Sequence, residues 1–244
     1  MNGPQIQRAK QAVRERVWDL LDRERAAPAG VVGHIPDFVG ADVAAIRLAE
    51  HPAWQAARVI KTVPDSAQLP VRVRALEDGK LLYMASPKLA TENPFYCLDP
   101  ATLTVPPREV AAHRAAENFA QSVDMNEMRP VDLIVCGSVA VNRDGVRIGK
   151  GAGYSDIEVA LLQEAGLMGP HTLIATTVHS LQVLDEDLPE AEHDFRVDLI
   201  VTPGEALECE SRRRGARIIW EHLTPEFISA IPVLGRRSQT RGDT

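Results

Sequence analysis

The spacing of apolar residues along the chain predicts alternating helices and strands. Near the start, apolar side chains recur at every third or fourth position, at Ile6, Ala9, Val13, Val17, Leu20 and Leu21. This period predicts an amphipathic helix over residues 5–25. Shorter apolar runs at 57–63 and 80–85 predict strands on either side of residues 66–78, where a turn is expected to lead into a helix. Because such a unit joins parallel strands, the sheet is expected to be mostly parallel.

The same patterns predict the remaining elements. Helices are expected at 41–50, 108–119, 154–165 and 224–231. Strands are expected at 130–136, 172–178, 197–201 and 216–220. Residues 86–107 are predicted to form an ordered loop, in which Phe95 and Tyr96 either pack on the core or contact a ligand. We expect one α/β domain over residues 1–235 and a disordered polar tail over 236–244.

Composition narrows the class of protein. The 244 residues are 45% hydrophobic and 25% charged, which is typical of a globular chain. A net charge of −7 argues against nucleic acid or an anionic membrane as a partner. No apolar run approaches the ~18 residues of a membrane helix, so a soluble cytoplasmic protein is expected. Three widely spaced cysteines argue against a disulfide framework, and Cys136 is interpreted as a core residue.

The candidate chemistry lies in the glycine-rich segment 149–153, which precedes the predicted helix at 154–165. Its three glycines allow positive φ, so backbone N–H groups can approach an anion at a helix N-terminus. Arg147 and Lys150 add positive charge, whereas Asp156 would repel a polyphosphate unless Mg²⁺ lay between them. The spacing fits neither a Walker A loop nor a Rossmann fingerprint. By spacing alone, a tight glycine turn with Asp156 as a helix-start residue fits equally well.

A longer motif surrounds this segment. It comprises Asp132-Leu-Ile-Val, followed by Asn142-Arg-Asp-Gly-Val-Arg-Ile-Gly-Lys-Gly-Ala-Gly-Tyr-Ser-Asp156. This order resembles the signature of the 5-formyltetrahydrofolate cyclo-ligase family, also called methenyltetrahydrofolate synthetases. The resemblance implies a three-layer α/β/α fold with a mostly parallel sheet and a topology like that of the NagB/RpiA/CoA-transferase proteins. It also implies that ATP and Mg²⁺ are cofactors and that a reduced folate or a similar heterocycle is the substrate.

The resemblance assigns roles to individual positions. Two cations on the first helix, Lys10 and Arg14, match the pair that reaches the nucleotide phosphates, although a solvated basic pair is the alternative. Arg147 and Lys150 would act with them on the transferring phosphoryl group. The nucleotide-binding loop would consist of Gly149, Lys150, Gly151, Ala152, Gly153 and Tyr154. The magnesium ligands would be Asp156 and Asp194. The substrate contacts would be Asp65, Gln182 and Tyr154, where Asp65 is equally well explained as a turn residue.

The family reaction converts 5-formyltetrahydrofolate and ATP into 5,10-methenyltetrahydrofolate, ADP and phosphate. This sequence departs from the family motif at Ser155, Glu158, Val141-Asn142 and Cys136-Gly137-Ser138, on the substrate side more than on the nucleotide side. These departures resemble a divergent branch, the methenyltetrahydrofolate synthetase domain-containing proteins. The branch implies either a cyclo-ligase, or a paralogue that uses another formyl- or amide-bearing heterocycle. The alternative is a nucleotide- or folate-binding protein without turnover, linked to thiamin metabolism.

Overall fold

A mixed β-sheet forms the centre of the protein. The computed structural model describes residues 3–112, 117–209 and 216–242. Within these ranges the strands are β1 (Val59–Thr62), β2 (Leu81–Ala85), β3 (Phe95–Leu98), β4 (Gln121–Val123), β5 (Val131–Cys136), β6 (Ala140–Asn142), β7 (Arg147–Ile148), β8 (Met168–Thr177), β9 (Val183–Leu184), β10 (Leu199–Val201) and β11 (Ala206–Glu208). The main sheet has the order β11-β10-β8-β5-β1-β2-β3-β4, and β7-β6-β9 form a small second sheet. The five strands from β10 to β2 are parallel, and the outer strands pair antiparallel.

Helices cover both faces of this sheet. Within the described residues they are α1 (Gly3–Arg23), α2 (Ala41–Glu50), α3 (Pro52–Ala56), α4 (Leu69–Glu77), α5 (Pro107–Val110), α6 (Tyr154–Glu164), α7 (Pro225–Ala230) and α8 (Pro232–Gly242), and residues 117–119 are also helical. Apolar residues of α2 to α5 pack on one face of the sheet, and those of α6 and α8 pack on the other. Helix α1 packs beside the small sheet in a third cluster. No described helix has the length and apolar character that a membrane span requires.

Side-chain alternation along β1 links the two layers. Val59 packs with the α6 layer and Ile60 with the α2–α4 layer, as expected when successive strand residues point to opposite faces. Lys61 therefore points toward α6, where it pairs with Glu158. At the start of the strand, a carboxylate oxygen of Asp132 on β5 accepts hydrogen bonds from the backbone N–H groups of Arg58 and Val59, at 2.8 and 2.9 Å.

The predicted fold class is confirmed. The unit β1-α4-β2 forms with its strands parallel and Val59 paired with Leu81. The central segment also follows the expected course, from β5 through the β6–β7 hairpin and the glycine-rich loop into α6. Both predictions depended on apolar residues that recur along each segment. Elements that pack on the two faces of a sheet need such a pattern because their contact surfaces are buried.

One prediction for residues 86–119 was wrong, and another holds in part. Residues 86–107 are not only a loop, because β3 forms within them; of the two alternatives for Phe95 and Tyr96, packing on the core is confirmed, since both are buried. The segment predicted as a helix at 108–119 is helical at Pro107–Val110 and again at 117–119, with a bend at 111–112, and residues 113–116 lie outside the described part of the chain. The following strand β4 was missed because its sequence, Gln-Ser-Val, lacks apolar alternation. Backbone pairing with β3 stabilises this polar edge strand.

The C-terminal predictions also need correction. Residues 216–220 do not form a strand, since the N–H groups of Ala216 and Ile218 donate to side chains of α6 at 3.1 Å each. The expected disordered tail is helical through Gly242, as part of α8. Two contacts explain that order: Arg237 pairs with Glu164 at 2.8 Å, and the Arg241 guanidinium lies 5.1 Å from the Trp220 ring.

Candidate functional site

The candidate site lies at the carboxyl ends of β1 and β5. Ligands bind at such ends in open α/β sheets, where loops converge above the strands. Here β1 leads to Asp65, and β5 leads through the hairpin to the glycine-rich loop 149–153. Helix α1 passes over the loop from the other side. These elements enclose a first cavity of about 80 Å³, which we call the loop cavity.

The loop has the backbone conformation that its glycines permit. Gly151 has φ +101° and Gly153 has φ +77°, and Gly153 is the residue before α6. No described side chain caps this helix end, which leaves its first N–H groups without a capping partner, and Tyr154, Ser155 and Asp156 of its first turn line the loop cavity. Nε of Arg14 donates to the carbonyl of Gly149 at 2.7 Å. A Cβ atom at Gly151 would lie 3.2 Å from Cζ of Arg14, so this close approach favours glycine.

The predicted cations are buried around this loop. Lys10 and Arg14 lie on the buried stripe of α1 together with Val13, Val17 and Leu21. The solvated-pair interpretation of these two residues is therefore wrong. Burial lowers the pKa of Arg14, and the nearby carboxylate of Asp194 offsets part of that shift. A charged group in this position has lost much of its water and gains more from an anionic partner.

Within the described part of the chain, each of the four predicted cations except Arg14 has a carboxylate partner. Lys10 pairs with Asp194, Arg147 with Asp156 at 3.2 Å, and Lys150 with Asp65 at 2.8 Å. Burial alone would lower the pKa of Arg147, but the surrounding acidic groups, above all Asp156, raise it above its usual value. The Arg147 guanidinium also lies 4.2 Å from the centre of the Phe195 ring. Arg147 is therefore a fixed positive charge in the cavity wall.

The carboxylates fit a magnesium ion shared with a phosphate ligand. Asp156 and Asp194 both line the loop cavity. The described residues contain no group of three or more His, Cys, Asp or Glu side chains placed to hold a metal ion. Magnesium is usually bound through one or two carboxylates together with waters and substrate phosphates, rather than in an all-protein cage. Two carboxylates beside a glycine-rich loop with nearby cations match that pattern.

A second cavity of about 520 Å³ adjoins the first, and we call it the substrate cavity because two of the predicted substrate residues line it. Its walls come from residues 28–37, 63–66 and 86–88 and from the start of α6. The residues common to both cavities are Ile35, Asp65, Lys150, Ala152, Tyr154 and Ser155. Asp65 and Tyr154, two of the three predicted substrate residues, thus lie in the shared wall. A ligand in either cavity would contact the same loop.

Gln182, the third predicted substrate residue, lies outside both cavities. Its side chain is fully buried, and its amide donates to the carbonyls of Ser138 and Val139 at 2.8 and 3.1 Å. Its oxygen accepts from the N–H of His179 at 2.8 Å. With donor and acceptor both engaged by backbone, Gln182 fixes the turn after β5.

The turn Cys136-Gly137-Ser138 also lies in the core and not on the substrate side. Burial raises the pKa of the Cys136 thiol, which fits a packing residue and not a nucleophile. The Ser138 hydroxyl bonds that of Thr176 at 2.9 Å. A Cβ atom at Gly137 would lie 2.7 Å from a methyl carbon of Ile35. This departure from the family motif therefore reflects local packing under the site.

Sequence reasoning missed an ion pair at the base of the substrate cavity. Glu158, which lines that cavity, pairs with Lys61 on β1. Their side chains are 6% and 1% exposed. A lysine in the middle of an apolar strand was the available signal. Its partner could not be found without knowing which face of α6 meets β1.

Comparison with known proteins agrees with this geometry. A model of the 5-formyltetrahydrofolate cyclo-ligase family matches residues 6–203. The chain is 38% identical over 235 residues to the methenyltetrahydrofolate synthase domain-containing protein of Mus musculus, and 33% identical over 234 residues to that of Homo sapiens. These alignments cover 93% of this chain in both cases, but 62% and 60% of the relatives. The chain therefore spans about three fifths of their length.

A solved structure is similar in fold. The NMR structure of Aquifex aeolicus 5,10-methenyltetrahydrofolate synthetase superimposes with a TM-score of 0.52 at 20% sequence identity. The superposition covers 88% of this chain and 99% of that one. At this identity the likeness supports the α/β fold with its mostly parallel sheet. The resemblance inferred from the motif is confirmed by these matches.

Proposed function

This chain belongs to the 5-formyltetrahydrofolate cyclo-ligase family, and from that premise we propose that it is an ATP- and Mg²⁺-dependent enzyme that closes a ring on a formylated substrate. The substrate is 5-formyltetrahydrofolate or another heterocycle that carries a formyl or amide group. One observation supports the proposal most strongly: a cation-rich loop cavity and a larger cavity share a wall that contains Lys150. Phosphoryl transfer needs donor and acceptor side by side in this way.

The charges of the loop cavity support a nucleotide with magnesium. Its described lining includes four cations, Lys10, Arg14, Arg147 and Lys150, and three carboxylates, Asp65, Asp156 and Asp194. A polyphosphate alone would gain from the cations but would be repelled by the carboxylates. If Asp156 and Asp194 held Mg²⁺, their present partners Arg147 and Lys10 would be free to pair with the phosphates. The ion pairs of the free protein would then be exchanged rather than lost.

The proposed roles follow from position. When bound, MgATP supplies the phosphoryl group that turns the formyl oxygen into a leaving group. Arg14 and the N–H groups of the loop would hold the phosphate chain, with Lys10 and Arg147 neutralising its charge. Lys150, in the shared wall, would face the oxygen between the two reactants. Asp65 accepts a hydrogen bond from Lys150, and so would orient it.

Substrate choice depends on the wall of the substrate cavity. Ser155 lies in the shared wall where the family motif has a second tyrosine, so less aromatic surface is available for a pterin ring. Glu158 lines the same cavity, but its carboxylate is already paired with Lys61. The smaller aromatic surface favours a heterocycle that depends less on stacking. It also supports the second candidate function, binding of a nucleotide or folate without turnover.

A direct assay separates these functions. We expect the purified protein, incubated with ATP, Mg²⁺ and 5-formyltetrahydrofolate, to release ADP and to develop methenyltetrahydrofolate absorbance. Omission of Mg²⁺ should abolish both signals, because the carboxylates would then face bare phosphates. ADP release without the methenyl product would indicate another heterocycle as substrate. Tight binding of ATP or folate with no ADP release would support the binding protein, and no ATP binding would contradict the enzyme and the assignment of the loop as a nucleotide site.

A further inference from the structure

A third cavity lies on the far side of the glycine-rich loop. Its volume is about 280 Å³, and we call it the C-terminal cavity. It shares Gln7, Gly151, Ala152, Gly153, Asp156 and His193 with the loop cavity. Its other walls come from the segment 217–227 and from Ile157. The segment lies beyond residues 6–203, the part that the family model matches.

From this arrangement we propose that the C-terminal segment forms the binding pocket for the base and sugar of a nucleotide. The inference rests on the proposed function, since it assigns the rest of the same ligand. The three cavities follow in order: the C-terminal cavity, the loop cavity and the substrate cavity. A nucleotide bound with its phosphates in the middle cavity places its terminal phosphate toward the substrate only if its base lies at the C-terminal side.

The chemistry of the walls suits a flat, partly polar group. Ile157, Ile219, Leu223 and Phe227 provide apolar surface. The Phe227 ring lies 5.4 Å from that of Tyr154, with 32° between their planes, and so packs directly against the loop end. Two histidines at the edge, His193 and His222, lie with their Nδ1 atoms 3.2 Å apart and present donors and acceptors. Ligand pockets typically combine apolar walls with a few polar groups in this way.

The pocket is held in place by α7. Thr224 caps this helix, accepting a hydrogen bond from the N–H of Phe227 at 3.2 Å. Ile231, at its end, is fully buried in the core that also contains α6. The aromatic wall is therefore anchored to the same core as the phosphate loop, so base and phosphates would be held at a fixed separation.

The test compares a nucleotide with its phosphate chain alone. Calorimetry would measure the Kd of MgATP and of magnesium tripolyphosphate for the wild type, for Phe227→Ala and for the control Phe119→Ala, which removes an exposed phenylalanine. We expect Phe227→Ala to weaken MgATP binding by about 5- to 150-fold, the range that loss of base–aromatic stacking gives. Tripolyphosphate binding should be unchanged, and Phe119→Ala should behave as the wild type.

Other outcomes overturn the proposal. If Phe227→Ala weakened the binding of MgATP and of tripolyphosphate equally, Phe227 would only support the loop. If the affinity for both ligands were unchanged, the base would bind elsewhere. In either case the wild type would still bind MgATP, so the proposed function would stand. If Phe227→Ala does not fold, Phe227→Leu removes the ring while keeping apolar bulk, and the same ligand difference is expected. Absence of MgATP binding by the wild type would overturn the inference and the proposed function together.

Discussion

Replacement of Glu158 by Gln is expected to lower the free energy of unfolding by about 3–5 kcal/mol, measured by urea denaturation. The Lys61 ammonium is 1% exposed and Glu158 is its ion-pair partner in the described structure. The substitution leaves a buried positive charge without a counter-charge, which is among the costliest changes a core can undergo. The loss should be far larger than that of a neutral hydrogen bond.

A double replacement tests whether the unpaired buried charge causes this loss of stability. Lys61→Met combined with Glu158→Leu removes both charges, and its stability is expected to be near that of the wild type, because apolar residues avoid the desolvation of two ions. Asp185→Asn provides a matched control, since the Arg143–Asp185 pair is 59% and 81% exposed. That control should change stability by less than about 1 kcal/mol. A Glu158→Gln effect as small as the control would contradict the buried-pair account.

Lys150→Met is expected to reduce kcat about 10²- to 10³-fold, the usual cost of removing a charge that stabilises a transition state. Lys150 lies in the wall common to the loop and substrate cavities, where the formyl oxygen that accepts the phosphoryl group would be placed. Because its side chain is 37% exposed, the fold should tolerate the change. The measurement is steady-state ADP release with the substrate that the wild type turns over.

Lys88→Met is the matched control for this prediction. Lys88 lines the substrate cavity but does not line the loop cavity. Its replacement is expected to alter KM for the heterocycle while leaving kcat within about threefold, as for a contact that acts equally in ground and transition states. Equal losses of kcat in the two variants would show that Lys150 has no special position between the reactants.

The parts of the fold that sequence predicts are those with strong local signals. The glycine-rich loop and α6 were predictable because positive φ at Gly151 and Gly153 and a helical apolar period depend on adjacent residues. Lys10 and Arg14 are four residues apart, so they must share a helix face. Whether that face is buried or exposed to solvent could be decided only from the packing of α1 across the loop.

Other features depend on contacts between distant parts of the chain. The polar strand β4 exists because β3 offers it backbone partners. Gln182 resembles a ligand contact in sequence, but its amide is taken up by carbonyls more than 40 residues earlier. The pair of Lys61 and Glu158 joins residues 97 positions apart. In each case tertiary packing determines the partner, and the spacing of apolar and polar residues in the sequence does not indicate it.

The three cavities together support one interpretation of the site. The loop between them is shared by all three, so a ligand that spans them would meet cations in the middle and different chemistry at each end. Metal dependence is the property that most sharply separates this interpretation from a simple anion site. A simple anion site would need only the cations and the N–H groups.

Calorimetric titration of ATP with and without Mg²⁺ tests this interpretation most directly. Asp156 and Asp194 line the loop cavity together with the cations, so binding in EDTA is expected to be at least roughly 100-fold weaker, given the repulsion between carboxylates and phosphates at an effective dielectric constant near 20. In Asp156→Asn and Asp194→Asn the difference between the two conditions should shrink. Equal affinity of the wild type for ATP with Mg²⁺ and with EDTA would contradict a magnesium-nucleotide site.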